Sequence, residues 1–87
     1  MIFHVYAGPK EFHCPWCVKA KELLERKEKL YNYHRVTETV SREEFAELFT
    51  SKGLVVPRTV PQIFVDIGGT MHYIGTYTDL QTALEPM

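Results

Sequence analysis

Two thiols three positions apart, in Cys14-Pro15-Trp16-Cys17, are the residues of this 87-residue chain whose types and spacing can do chemistry. At the start of a helix that spacing closes a disulfide, and opens it again, without moving the backbone, so the pair reads as a redox site rather than a staple. No other cysteine exists in the chain. No disulfide framework therefore claims the two, and the second spaced pair that a four-cysteine zinc site needs is missing. A thiol attacks only as thiolate, and with an unperturbed pKa of about 8.5 it is a few per cent ionised at neutral pH. Position corrects this. The first cysteine at a helix entry faces unpaired N–H groups and the positive end of the helix dipole, both of which favour the anion. Cys14 is thus the candidate nucleophile and Cys17, one turn inward, the candidate resolving thiol. Pro15 fixes its own φ and stiffens the turn, and Trp16 offers a flat apolar face beside the sulfur for a peptide or thiol substrate. Lys10 and Lys19 add positive charge nearby, Glu11 opposes them, and His13 reads as a solvated ring.

The second informative stretch is Thr59-Val60-Pro61. A residue before proline is pushed to extended geometry, so Val60 can present its backbone N–H and C=O as a strand edge to a passing peptide.

The elements that must position these residues follow from periodicity and punctuation. Ile2-Phe3-His4-Val5-Tyr6 is β-branched and aromatic and stops at Gly8-Pro9, which reads as a buried strand and a loop. Pro15 suits a first helical turn, and Ala20, Leu23 and Leu24 recur at helical spacing. The opposite face carries the pairs Lys21/Glu25, Glu22/Arg26 and Glu25/Lys29, which extends the helix to near Lys29. Tyr31 to Val36 alternates weakly as a second strand, parallel to the first through a right-handed crossover. Ser41 and Glu44 form a capping box for a helix that buries Phe45, Leu48 and Phe49 and stops at Gly53. Strands Gln62 to Asp66 and Thr70 to Ile74 join through the hairpin signal Gly68-Gly69. A last helix opens at Thr78, with Gln81 three positions on, and buries Leu80, Ala83 and Leu84. His4, His34 and His72 fall at unrelated strand positions and read as solvated or hydrogen-bonded side chains.

The resulting order, β-α-β-α-β-β-α, is an α/β arrangement of the thioredoxin-like kind, a small mixed four-stranded sheet flanked by helices. Residues 1–87 suffice for a single domain with one modest core. Ten Lys plus Arg against eleven Asp plus Glu give a net charge of -1, which lacks the basic excess that nucleic acid attracts. No stretch approaches the roughly 18 consecutive apolar residues of a membrane span. Met1 to Ala7 lacks the basic leader and apolar run of a signal peptide. The expectation is a cytoplasmic monomer, where a Cys-x-x-Cys pair is catalytic or metal-binding more often than structural.

Three motifs in this order resemble the dithiol glutaredoxins across nearly the whole chain: Cys14-Pro15-Trp16-Cys17-Val18-Lys19-Ala20-Lys21, Thr59-Val60-Pro61-Gln62-Ile63-Phe64-Val65-Asp66, and Ile74-Gly75-Thr76-Tyr77-Thr78-Asp79-Leu80. The resemblance implies a glutathione-dependent thiol-disulfide oxidoreductase acting on protein disulfides and glutathione mixed disulfides, with Pro61 cis. It further implies that Thr59 and Val60 pair with the cysteinyl part of glutathione, while Thr78 and Asp79, with Tyr77 beside them, receive the γ-glutamyl end. Ribonucleotide reductase is a plausible client on the same ground.

Three departures stand out. Trp16 replaces the usual tyrosine, Gly75-Thr76 replaces the usual Gly-Gly, and Gly8 to His13 is one residue longer than usual. Within that longer stretch, charge selects Lys10 over Glu11 as the cation for the glycyl carboxylate. Rival readings are a thioredoxin-type reductase served by a flavoprotein, an iron-sulfur cluster module shared by two protomers through Cys14 and glutathione, and a structural interaction domain whose thiols are a coincidence.

Overall fold

The structure is a computed structural model and describes residues 1–85; the last two residues of the single-domain span fall outside it. The elements run β1 (Ile2–Ala7), α1 (Pro15–Arg26), β2 (Tyr31–Arg35), α2 (Arg42–Thr50), β3 (Gln62–Ile67), β4 (Thr70–Gly75) and α3 (Tyr77–Leu84). The sheet order is β2-β1-β3-β4. β1 lies parallel to β2 and antiparallel to β3, and β3 is antiparallel to β4. This is the mixed thioredoxin-like sheet expected from the sequence.

Alternation along β1 divides the core. Phe3 and Val5 point to the face covered by α1 and α3, where they meet Ala20, Leu23, Leu24, Ile63, Leu80 and Leu84. Tyr6 points to the other face with Phe64, where α2 lays down Phe45 and Phe49. Leu48 is only half-buried beside this second cluster, and Ala83 is half-buried rather than buried. Among the described residues, no helix is long and apolar enough to cross a membrane.

Local signals set most boundaries. The Ser41 hydroxyl accepts from the Glu44 N–H at 3.0 Å, and Glu44 accepts from the Ser41 N–H at 3.0 Å, completing the capping box. That pairing holds the Glu44 carboxyl below its ordinary range. Gly68 and Gly69 take φ of 61° and 88°, the positive values a two-residue hairpin turn requires.

Two helix ends differ from the sequence expectation. α1 stops at Arg26 instead of near Lys29, because Glu28 adopts φ 56° and the chain turns out. Lys29 N–H reaches the Leu24 carbonyl at 2.9 Å and Glu28 N–H reaches Glu25 at 3.1 Å, a Schellman closure with glutamate at the position glycine favours. Holding a side chain in that conformation costs about 1–2 kcal/mol, and glycine's extra freedom when unfolded takes back about 0.4–1 kcal/mol. Glu28→Gly, at an exposed position, is therefore expected to stabilise the fold by about 0.5–1 kcal/mol, read as a melting temperature a few degrees higher. α3 opens at Tyr77 with Thr76 as its cap, two residues before the Thr78 cap read from sequence. β2 also ends at Arg35, one residue earlier than expected.

Two of the histidines are hydrogen-bonded, one of the alternatives expected, but to each other. His4 and His34, which looked unrelated, meet across β1 and β2 with Nδ1 and Nε2 2.9 Å apart and ring planes within 16°. One ring must donate and the other accept, so the contact breaks once both are charged. Burial lowers both pKa values from 6.5; His4 adds to the lowering of His34, while Asp66 partly offsets that of His4. The unfolded chain takes up these protons near pH 6.5 and the folded chain only lower. Stability is thus complete above that value and falls as the pH drops through it towards the folded pKa values. Each histidine contributes a slope of at most about 1.4 kcal/mol per pH unit. Urea unfolding between pH 7 and 5 is expected to show this loss in the wild type and a flatter profile in His4→Asn/His34→Asn.

Candidate active site

Cys14 is the N-cap of α1. Its Sγ accepts from the Cys17 N–H at 3.2 Å, and its carbonyl accepts from Cys17 and Val18 at 3.2 and 3.3 Å. One open N–H of the helix start, that of Cys17, is therefore aimed at this sulfur, a placement at the positive end of the helix that favours a thiolate. The two cysteines are disulfide-bonded, with Cα atoms 5.3 Å apart. Their accessibility differs sharply: Cys14 is half-buried and Cys17 is 1% exposed.

Cys14 Sγ lies 3.8 Å from the Val60 carbonyl oxygen. The Val60–Pro61 bond is cis, as the resemblance implied. Trp16, Thr59, Val60, Pro61, Tyr77 and Thr78 together line one groove of about 250 Å³. The Trp16 and Tyr77 rings stand 5.5 Å apart, and Lys19 Nζ sits 4.5 Å over the Trp16 ring. Trp16 is 53% exposed, so its face is available to a substrate.

Two of the sequence candidates stand apart from this groove. Asp79 is turned back on the cap: its Oδ2 accepts from the Thr76 N–H at 2.9 Å and the Thr76 hydroxyl at 3.0 Å. Gly75 allows this. It has φ 128°, and a Cβ there would stand 2.7 Å from Asp79 Cγ. A β-bulge helps place the cap, because Ile63 pairs with Gly75 while Phe64 pairs with Tyr73, so Ile74 is extra. Lys10 lies in a separate recess of about 280 Å³ with His13, Cys14, Tyr33 and Arg35, and its backbone N–H is bound by the Glu38 carboxylate.

Four further residues border the site without having been site candidates in the sequence. Thr76 both caps α3 and lines the groove. Gln62 holds Thr59 from behind, with Nε2 donating to the Thr59 carbonyl at 3.0 Å. Arg58 and Arg42 border a larger cavity of about 510 Å³ that opens from Thr59 and Val60 on the side away from α3.

Comparison with known proteins agrees with this geometry. The glutaredoxin family model matches residues 2–69. Glutaredoxin 1 of Rickettsia typhi is 41% identical over 59 residues, which cover 64% of this chain and 54% of that protein. The Rickettsia prowazekii glutaredoxin 1 is 39% identical over 59 residues, covering 64% and 59%. The chain thus spans little more than half the length of these curated relatives. Reduced Escherichia coli glutaredoxin superposes with a TM-score of 0.66 at 32% identity, covering 99% of this chain and 95% of that one. Glutaredoxin 1 of Francisella tularensis, complexed with cacodylate, shares the fold with a TM-score of 0.66 at 21% identity, covering 98% and 93%. With the family model spanning most of the chain and a Cys-x-x-Cys pair at the head of α1, this protein belongs to the glutaredoxin family and is of its dithiol kind.

Proposed function

We propose that this chain is a glutathione-dependent thiol-disulfide oxidoreductase that reduces protein disulfides and glutathione mixed disulfides through Cys14 and Cys17. The observation that carries the reading is the position of Cys14 Sγ, 3.8 Å from the Val60 carbonyl at the rim of the Trp16–Tyr77 groove. An extended cysteinyl residue laid along Thr59 and Val60 can pair with the backbone there and bring its own sulfur to Cys14. On one side the γ-glutamyl carboxylate suits the N-terminus of α3 at Tyr77 and Thr78. Both hydrogen bonds to Asp79 fall on Oδ2, and its Oδ1 can accept from the γ-glutamyl ammonium. On the other side the glycyl carboxylate faces the cavity bordered by Arg58 and Arg42. Arg58 takes the part that charge alone assigned to Lys10, and Lys10, sharing the opposite recess with Cys14, supplies positive potential beside the sulfur.

Cys14 thiolate attacks one sulfur of the substrate disulfide, that S–S bond breaks, and the departing sulfur leaves as a thiolate that takes up a proton. The mixed disulfide on Cys14 is then resolved by free glutathione or by Cys17, which forms the Cys14–Cys17 disulfide. Two glutathione molecules in succession reduce that bond and leave as glutathione disulfide, supplying the two electrons. A dithiol of this class has a potential of about -200 to -230 mV, above the roughly -270 mV of thioredoxin. Ribonucleotide reductase is one candidate client, the cytoplasm is the compartment whose glutathione pool suits the reaction, and the protein works as a monomer.

A coupled assay tests the reading. Glutathione with its reductase is compared with a thioredoxin reductase as electron source, on a glutathionylated peptide and on a protein disulfide. Turnover driven by glutathione on both substrates supports it; turnover driven only by the flavoprotein sinks it.

A further inference from the structure

Gln62 is the one buried polar side chain among the described residues, at 1% exposure. Both ends of its amide have a hydrogen-bond partner. Its Nε2 donates to the Thr59 carbonyl at 3.0 Å and lies 3.2 Å from the Thr59 hydroxyl, and its Oε1 accepts from the Tyr73 hydroxyl at 2.6 Å. The orientation of the amide is dictated by chemistry, since a carbonyl can only accept and so must face the NH₂. Tyr73 in turn stands at a fixed place on β4, with its ring 5.2 Å from Phe49 and 5.2 Å from Phe64.

This chain of contacts reaches the groove through one peptide unit. The Thr59 carbonyl and the Val60 N–H belong to the same planar trans amide and point in opposite directions. Holding the carbonyl inward on Gln62 therefore aims the Val60 N–H outward, to the side where an extended substrate must pair. Thr59 is exposed and Val60 half-buried, so the bond from Gln62 is the side-chain hold that ties this amide to β3.

We propose that Gln62 and Tyr73 are positioning residues that fix the Thr59–Val60 amide for backbone pairing with glutathionyl substrates, so that a phenol on β4 sets substrate affinity while thiolate reactivity stays independent of it. The inference rests on the glutathione reading above. Neither residue touches the reacting sulfurs; both act through Thr59.

The test compares wild type, Tyr73→Phe and Gln62→Met by steady-state kinetics on a glutathionylated peptide. In parallel, the fully reduced proteins react with 2,2′-dithiodipyridine, a small aromatic disulfide that makes no backbone pairing. Loss of one positioned hydrogen bond is expected to raise KM roughly 3- to 10-fold in Tyr73→Phe, and at least as much in Gln62→Met, with kcat and the dithiodipyridine rate unchanged. Tyr73 is 39% exposed at a sheet edge, so its phenylalanine variant keeps the packing ring. Unchanged KM in Tyr73→Phe, or a dithiodipyridine rate falling in step with turnover, overturns the proposal. A wild type with no glutathione-driven turnover overturns the glutathione reading and this inference together; a wild type that turns over beside unaffected variants overturns this inference alone.

Discussion

Cys14→Ser is expected to reduce activity on every disulfide substrate to the uncatalysed background, whereas Cys17→Ser keeps turnover of glutathionylated peptides within a few-fold of wild type and loses the dithiol route to protein disulfides. The asymmetry comes from access. Cys14 is half-exposed at the groove beside Val60, and Cys17 is buried behind it against the α1–β1 core. A substrate sulfur can reach only the first. Once a glutathionyl group is on Cys14, free glutathione can attack it from solvent and Cys17 is dispensable; when the group is a protein thiol, an intramolecular attack is the faster exit. The coupled glutathione-reductase assay on both substrate types reads the two variants directly. Retained activity in Cys14→Ser, or loss of both activities in Cys17→Ser, would reverse the assigned roles.

Phe64→Ala is expected to cost about 3–5 kcal/mol of folding free energy, the range for deleting a fully buried aromatic ring. Phe64 is 0% exposed and sits at the centre of the second core cluster. Its ring contacts Tyr6 at 5.8 Å, Phe49 at 5.3 Å and Tyr73 at 5.2 Å, in edge-on and tilted arrangements that ring quadrupoles favour. A domain of this length holds on the order of 5–10 kcal/mol in all. The variant is therefore near the threshold of unfolding at 37 °C, with a melting temperature lower by roughly 15 °C or more in thermal unfolding. A drop of only one or two degrees would show that the cluster closes over the space, contrary to the tight packing described.

The element order and the dithiol were legible because they rest on local rules. Alternation marked β1, the Ser41–Glu44 pair marked α2, and two glycines marked the hairpin. Misreadings arose where two local rules competed. Thr76 and Asp79 stand at the same spacing as Thr78 and Gln81, and the chain takes the earlier pair, just after the bulge at Ile74, a tertiary feature with no local signature. Glu28 hid the end of α1 because the conformation that favours glycine is held there by a good helix former, with the Glu25/Lys29 spacing running across it. Long-range contacts left no local trace. His4 and His34 are thirty positions apart and meet only through strand pairing, and the hold of Tyr73 on Gln62 spans two strands. Trp16, Thr59, Val60, Pro61, Tyr77 and Thr78, named from their motifs, come together along one groove, while nothing local in the sequence places Arg58 at the cavity on the far side of Val60.

The two faces of the sheet are not equally held. α1 and α3 share one large aliphatic cluster with the strands, but α2 rests on the other face through aromatic rings, chiefly Phe45 and Phe49 on Tyr6, Phe64 and Tyr73. A helix attached by so few side chains is the unit that opens first in sub-global fluctuations, at a lower free energy than the strands. Cys14, Cys17 and the amide pinned by Gln62 hang from α1, β3 and β4, so such an opening leaves the thiols in place while it takes Phe49 from the Tyr73 ring and Arg42 from the cavity beyond Val60. What such an opening exposes is Phe45 and Phe49, which puts the protein's aggregation hazard under α2 rather than at the thiols that must meet its partners.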